Sequence, residues 1–196
     1  MTTRDYLTCA ETAKLIRQAL KEAFPGVKFG VRSHVYSGGA SVNVRWTDGP
    51  NAAQVEEVAS RFEGATFDGM TDSTHYNRSM YNGKPVSFGA KYIFCERDYS
   101  PALIERAIAA LWARNWVGLQ GIERPTADDF KAGRCNGVAW SAVIQGCDLR
   151  DLIYQTARKR SDRLTKHSNT AAAVIHLGST DPHDPLRSSF AHEAHA

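Results

Sequence analysis

A chain of 196 residues with 42% hydrophobic and 23% charged residues has enough apolar material for one packed domain, with room for an appendage. Its 24 basic and 21 acidic residues leave a net charge of +3, too mild for non-specific nucleic-acid binding, so any basic site has to come from local clustering. The sequence has no apolar run of the roughly eighteen residues that a membrane helix needs, and MTTRDYLTCAETAK lacks the apolar core of a secretory signal.

Cys9 to Phe24 is predicted as the first helix. Thr8 is its cap, Glu11 its capping-box partner, and Ala13, Ile16, Leu20 and Phe24 its core stripe, with Pro25-Gly26 as the stop. Two alternating strands follow, Val27 to Val35 and Ala40 to Trp46, joined by a Ser-Gly-Gly turn that supplies positions for positive φ. Val27, Phe29, Val31 and Val35, with Val42, Val44 and Trp46, are expected on the inner side. Lys28, Arg32, His34, Tyr36, Ser41, Asn43 and Arg45 are expected on the outer side. Asp48-Gly49-Pro50 ends the hairpin. Asn51 and Gln54 open a second helix with the stripe Val55, Val58, Ala59 and Phe62, closed by Gly64.

Ala65 to Met70 reads as a short strand, Thr71 to Pro85 as a polar stretch with an Asn82-Gly83 turn, and Val86 to Glu96 as another strand. The order α-β-β-α-β-β with sequential hairpins predicts an α+β fold: an antiparallel sheet with helices packed on one face. Ser100-Pro101 starts a third helix with Leu103, Ile104, Ala107, Ile108, Leu111 and Trp112 on its stripe. A glycine-rich connector at 118–121, a short helix from Thr126 to Lys131 and an ambiguous apolar segment from Val138 to Ile144 come next. Asp148 then caps a last helix, Leu149 to Leu164, with the stripe Leu149, Leu152, Ile153 and Thr156. The expected organisation is an α+β domain over 1–100, a helical extension packed on it over 101–165, and a flexible tail over 166–196.

Three clusters offer chemistry. On the hairpin, Arg32, His34 and Arg45 with Tyr36 form a basic face with a stacking ring, the residue types that hold phosphates and bases. The same face is equally the wet side that any antiparallel sheet keeps. Arg158, Lys159, Arg160 and Arg163, with Lys166 and His167, form the densest basic run. That run is either a patch for nucleic acid or an acidic protein, or charge matched to the carbonyls at a helix end. Asp68, Asp72 and His75 share a turn-rich segment but match no metal-ligand spacing, and Asp-Gly is ordinary turn chemistry.

Trp112 and Trp116, one helical turn apart, read as core packing or as a homodimer interface. His176, His183, His192 and His195 read as scattered tail histidines. Cys9, Cys95, Cys135 and Cys147 form no CxxC pair and read as reduced, mostly buried thiols of a cytoplasmic protein without zinc. Walker A, GxGxxG, HExxH and GxSxG motifs are all missing, so no catalytic residue, cofactor or metal is assigned from the sequence.

The phrases TAKLIRQALKEAFPGVKFGVRS, YSGGASVNVRWTDGP, FEGATFDGM and FGAKYIFCERDYS, in this order between Ala10 and Tyr99, resemble the twenty-ninth large polyvalent protein-associated domain family. The resemblance covers about half of the chain and stops before Pro101. It implies a module of phages, conjugative plasmids and other mobile elements. Some members are fused into very long proteins that enter a new host with the DNA; this chain departs from that form by standing alone. The implied role is a non-enzymatic counter-defence protein, such as an anti-CRISPR, that binds a host defence complex in the bacterial cytoplasm. A DNA- or RNA-binding module using the hairpin face and the basic helix end is the alternative, and a small enzyme acting on nucleotides or a protein is the third reading.

Overall fold

The structure, a computed structural model, describes residues 4–70, 72–139 and 148–180. In chain order its strands and α-helices are β1 (Asp5–Leu7), α1 (Cys9–Ala23), β2 (Gly30–Tyr36), β3 (Gly39–Thr47), α2 (Ala52–Ala59), β4 (Ala65–Asp68), β5 (Ser73–Tyr81), β6 (Lys84–Phe88), β7 (Tyr92–Asp98), α3 (Pro101–Trp112), α4 (Ala127–Lys131), α5 (Leu149–Lys159), α6 (Asn169–Ala172) and β8 (Val174–Thr180). The fold is α+β. The chain divides into two compact units, one built from 1–45, 53–96 and 165–196, the other from 46–52 and 97–164.

In the first unit, α1 forms where the spacing predicts it. Thr8 and Glu11 close a full capping box, and Ala13, Ile16, Leu20 and Phe24 are buried. β2 and β3 pair antiparallel from Gly30↔Arg45 to Tyr36↔Gly39, and β7 lies on the other side of β3. The positive φ of the connection falls on Gly39 alone, at 150°. Val31, Val42 and Val44 are buried as expected, but Val35 is 81% exposed, because the hairpin tip borders an open groove instead of the core.

The other strands build a second sheet instead of extending the first. β6 lies between β1 and β5, and β5 also pairs with β4 and β8. β1 and β6 are parallel, Asp5↔Val86 to Leu7↔Phe88, while β5 is antiparallel to its three partners. The run Val86 to Glu96, expected as one strand, is therefore two strands in two sheets. It breaks at Gly89, whose N–H donates to the Leu7 carbonyl at 2.7 Å. Asn82-Gly83, at φ 50° and 75°, makes the expected tight turn between β5 and β6.

β5 itself, expected as polar connecting chain, is a nine-residue strand. Its inner positions use side-chain hydrogen bonds where most strands use apolar contact. Asn77 donates to the Glu63 carbonyl at 2.9 Å and accepts from Thr66 Oγ1 at 3.0 Å, and Ser79 Oγ lies 3.1 Å from His176 Nδ1. Val86 and Phe88 carry the apolar part, with the Phe88 ring edge-on to Phe62 at 5.5 Å.

Residues 166–180, expected as the start of a mobile tail, carry α6 and β8. Ser168 caps α6, and β8 completes the free edge of β5. Glu22 on α1 ties this segment down, accepting from Ser168 Oγ at 2.8 Å and from the Thr170 N–H and Oγ1, each at 2.9 Å. His183, His192 and His195 lie outside the described residues, as do Thr71, Cys147 and all of Val138–Ile144 beyond Ala139.

The second unit is a small helical core in which Ile104, Ile108, Leu111, Leu149, Ile153 and Ala157 are buried, with Trp112 and Trp116 packed against them. Ser100 caps α3, with Pro101 in its first turn, and Thr126 and Asp129 form a capping box on α4. Arg97, only 9% exposed, crosses this unit. Its Nε donates to the Asp48 carbonyl at 2.9 Å, Nη2 to Gly49 at 3.0 Å and Nη1 to Arg160 at 2.8 Å. The last of these bonds lies just past the C-terminus of α5, which stops at Lys159 and not at the expected Leu164.

Three outcomes test this account. Gly64→Ala is expected to destabilise the protein by about 1–3 kcal/mol in urea unfolding, because a Cβ there would run into the Phe88 carbonyl oxygen. Arg97→Met is expected to cost about 3 kcal/mol, since it leaves buried carbonyls without donors. The third concerns pH: burial opposes ionisation of Glu22, but the donors from Thr170, Gln18 and Ser168 outweigh it and hold the carboxyl at about 2. The α1–α6 tether is therefore complete above the ordinary value of 4.5 and is lost as pH falls towards 2. Protection factors of the α6 amides, corrected for intrinsic exchange, should fall as pH drops through that window in the wild type, and Glu22→Gln should remove that pH-dependent fall.

Candidate functional site

Strand alternation places Arg32, His34 and Tyr36 on one face of β2, with their partners Asn43, Ser41 and Gly39 on β3. Arg32, His34, Tyr36 and Arg45 are all exposed, while Ser41 beside them is buried. They form a strip and not a cluster. Arg45 pairs with Gly30 at one end and Tyr36 with Gly39 at the other, roughly 20 Å apart at the rise of a strand.

β7 adds what the hairpin alone did not show. Arg45 Nη2 meets Glu96 at 2.6 Å and its Nε donates to the same oxygen at 2.7 Å, so its charge is already matched on the sheet. Phe94, half exposed, shares the face with Glu96 two residues on, and Tyr92 follows with its ring 6.4 Å from that of Phe94. Lys91 lies over the Tyr92 ring at 5.3 Å, and its N–H bonds the Ala40 carbonyl at 2.8 Å, next to the hairpin tip. The outer face is thus ion-paired at one end and aromatic and basic at the other, with Arg32, His34 and Phe94 between.

Arg158, Lys159, Arg160 and Arg163 belong to the second unit. They are exposed at and beyond the end of α5, where Arg158 and Lys159 face the helix carbonyls, Arg160 offers its own carbonyl to Arg97, and Arg163 lies 3.9 Å from Asp162. Lys166 and His167, read as part of the same run, fall in the first unit.

Asp68, Asp72 and His75 serve the β4–β5 turn. Asp68 accepts from the Met70 N–H at 2.9 Å, Asp72 sits at φ 49°, and His75 Nε2 is 2.9 Å from Ser73 Oγ. Among the described residues no group of three His, Cys, Asp or Glu is placed to hold a metal ion. Burial raises the thiols of Cys9, Cys95 and Cys135, that of Cys95 to about 12 with Glu56 and Glu63 adding to the shift, so all three are poor nucleophiles. No helix among the described residues is long and apolar enough to cross a membrane.

Sequence reasoning missed the outer face of the five-stranded sheet. Tyr6, Tyr76, Ser87 and Lys91 line a groove of about 460 Å³ there, together with Val35 and the glycines of the hairpin tip. Its residues come from strands that are distant in sequence, and the only local signal was the pair of tyrosines in otherwise polar stretches.

No curated protein and no solved structure matches the chain. Residues 7–100 match the family described as large polyvalent protein associated domain 29, and the matched span contains the whole hairpin strip, β4 to β7 and the Arg97 contacts to Asp48 and Gly49. This stretch of the chain is therefore a large polyvalent protein associated domain of the twenty-ninth family, an accessory module of mobile genetic elements.

Proposed function

We propose that the protein is a non-enzymatic counter-defence factor of a phage or plasmid, working in the cytoplasm of the bacterial host by occupying a defence complex, as an anti-CRISPR does. The observation that carries this reading is the outer face of the three-stranded sheet. Tyr36, Tyr92, Phe94 and Arg32 stand on a rigid, open surface, and tyrosine and arginine are the side chains that dominate protein-binding hot spots. The Arg45–Glu96 pair gives the rim both signs of charge, which suits a protein partner better than a polyanion. The buried, high-pKa thiols and the open shape of the face support binding over covalent chemistry.

Expression in a host with an active restriction or CRISPR system is expected to rescue transfer of a targeted plasmid, and the tagged protein should co-purify with the defence complex. Combining Tyr36→Ala with Phe94→Ala should cut that binding at least tenfold while leaving the thermal midpoint nearly unchanged, since both rings are half exposed. Failure to rescue any restricted element, or rescue that is indifferent to both substitutions, contradicts the proposal.

A further inference from the structure

The pairing registers of the five-stranded sheet sort its side chains onto two faces. Val86 opposite Ser79 marks the inner face, where both are buried. Tyr6 opposite Ser87, and Pro85 opposite Met80, lie on the other face, and along β5 that face continues through Arg78 to Tyr76. Phe67, opposite Thr74 on β4, belongs to it too.

Tyr6 is 67%, Tyr76 61% and Phe67 52% exposed, three large aromatic side chains more than half in solvent on one face. Scattered single exposed apolar residues need no explanation, but three rings sharing a sheet face make a surface built to be covered. Tyr6 and Tyr76 stand two strand spacings apart, roughly 10 Å, and both line the groove together with Val35, Gly38, Gly39 and Lys91.

The charge on this face points to the occupant. No carboxylate occurs on it among the described strand residues, nor in the lining of the groove. Arg4 and Lys91 flank the groove, and Arg78 stands between Tyr76 and Met80. This contrasts with the hairpin face, where Glu96 cancels Arg45. Rings on a rigid sheet, bordered by cations without acids, match a chain of alternating bases and phosphates, since every base has a face to stack and every phosphate a charge to neutralise. A duplex hides its base faces and leaves the rings unused.

We infer that this sheet face binds single-stranded nucleic acid, with bases stacked on Tyr6 and Tyr76 and the backbone following Arg4 and Lys91. The groove shares Lys91 and the hairpin tip with the strip assigned to a protein partner, but Tyr6 and Tyr76 lie outside that strip, so their double variant tests this inference apart from that reading.

The experiment is fluorescence anisotropy of the full chain with a labelled oligothymidylate of about 15 nucleotides, over roughly 50–200 mM salt, against a duplex of equal length. Binding is expected to the single strand in preference to the duplex. Combining Tyr6→Ala with Tyr76→Ala should weaken it at least tenfold, the paired Tyr→Phe substitutions should retain it, and Arg4→Ala with Lys91→Ala should flatten the salt slope by about 1.4. Circular dichroism melts matching the wild type keep a loss of binding from being a loss of fold. Absent binding at low salt, or binding unchanged in the double alanine variant, overturns the inference. So does sedimentation showing a dimer that the same double variant dissociates, because the face would then be covered by a second copy of the chain.

Discussion

Two backbone crossings at glycine set the geometry on which the first unit depends. Gly64 donates to the Ala90 carbonyl at 2.8 Å and its own carbonyl accepts from Asn77 at 2.9 Å, so the entry to β4 is held between the end of β6 and the middle of β5. At Gly89 an added Cβ would stand 2.6 Å from the Leu7 carbonyl oxygen and 2.7 Å from the Cys9 nitrogen. Side chains cannot be accommodated at such separations, which makes glycine a requirement of close approach and not of turn conformation. The crossing at Gly89 joins β1 to β6, and directly after it the chain leaves that sheet to enter the other as β7. The groove beside Tyr6 and Tyr76 lies along this seam, with both glycines in its lining.

Arg97 plays the corresponding part in the second unit by a different means. A buried guanidinium is costly unless its fork is filled, and here three nitrogens find backbone carbonyls of Asp48, Gly49 and Arg160. Burial pulls its pKa below the usual arginine value, while Tyr99, Asp48 and Asp162 favour the charge. Asp48 and Gly49 carry positive φ, at 55° and 63°, and Asp48 also accepts from the Ser100 N–H at 2.9 Å and its hydroxyl at 2.5 Å. One turn thereby feeds both the buried arginine and the cap of α3, so the phrases WTDGP and ERDYS are two sides of a single hydrogen-bonded knot.

The legible parts of the sequence were those whose signal is local. Thr8 with Glu11, Ser100 with Pro101 and Asp148 before Leu149 each name a helix start within a few residues, and each start is where they place it. The alternation of the hairpin likewise placed Arg32, His34, Tyr36 and Arg45 on one face. What could not be read locally was settled by partners far away. STHYNRSMY has no apolar face because its inner positions are satisfied by Glu63, Thr66 and His176. VIHLGST became β8 because β5 had an open edge to fill, from a segment outside the family match. Arg45 looked like a free cation until β7 brought Glu96 beside it. The α5 helix was read five residues too long because its stop depends on Arg97, more than fifty positions upstream.

On the readings proposed above, the working surfaces of the first unit are its open sheet faces. Both sheets turn aromatic residues outward where a sheet with one wet face ordinarily turns threonine, lysine or glutamate. Tyr6, Tyr76, Phe67, Tyr36 and Phe94 are half to two-thirds exposed, so each forgoes part of the roughly 1.5–3 kcal/mol that full burial would give. The two faces differ in the sign balance around the rings. A pair of opposite charges borders one face and cations alone border the other. Charge balance selects partners more sharply than apolar area does, and it is this difference between the faces on which the two proposals rest.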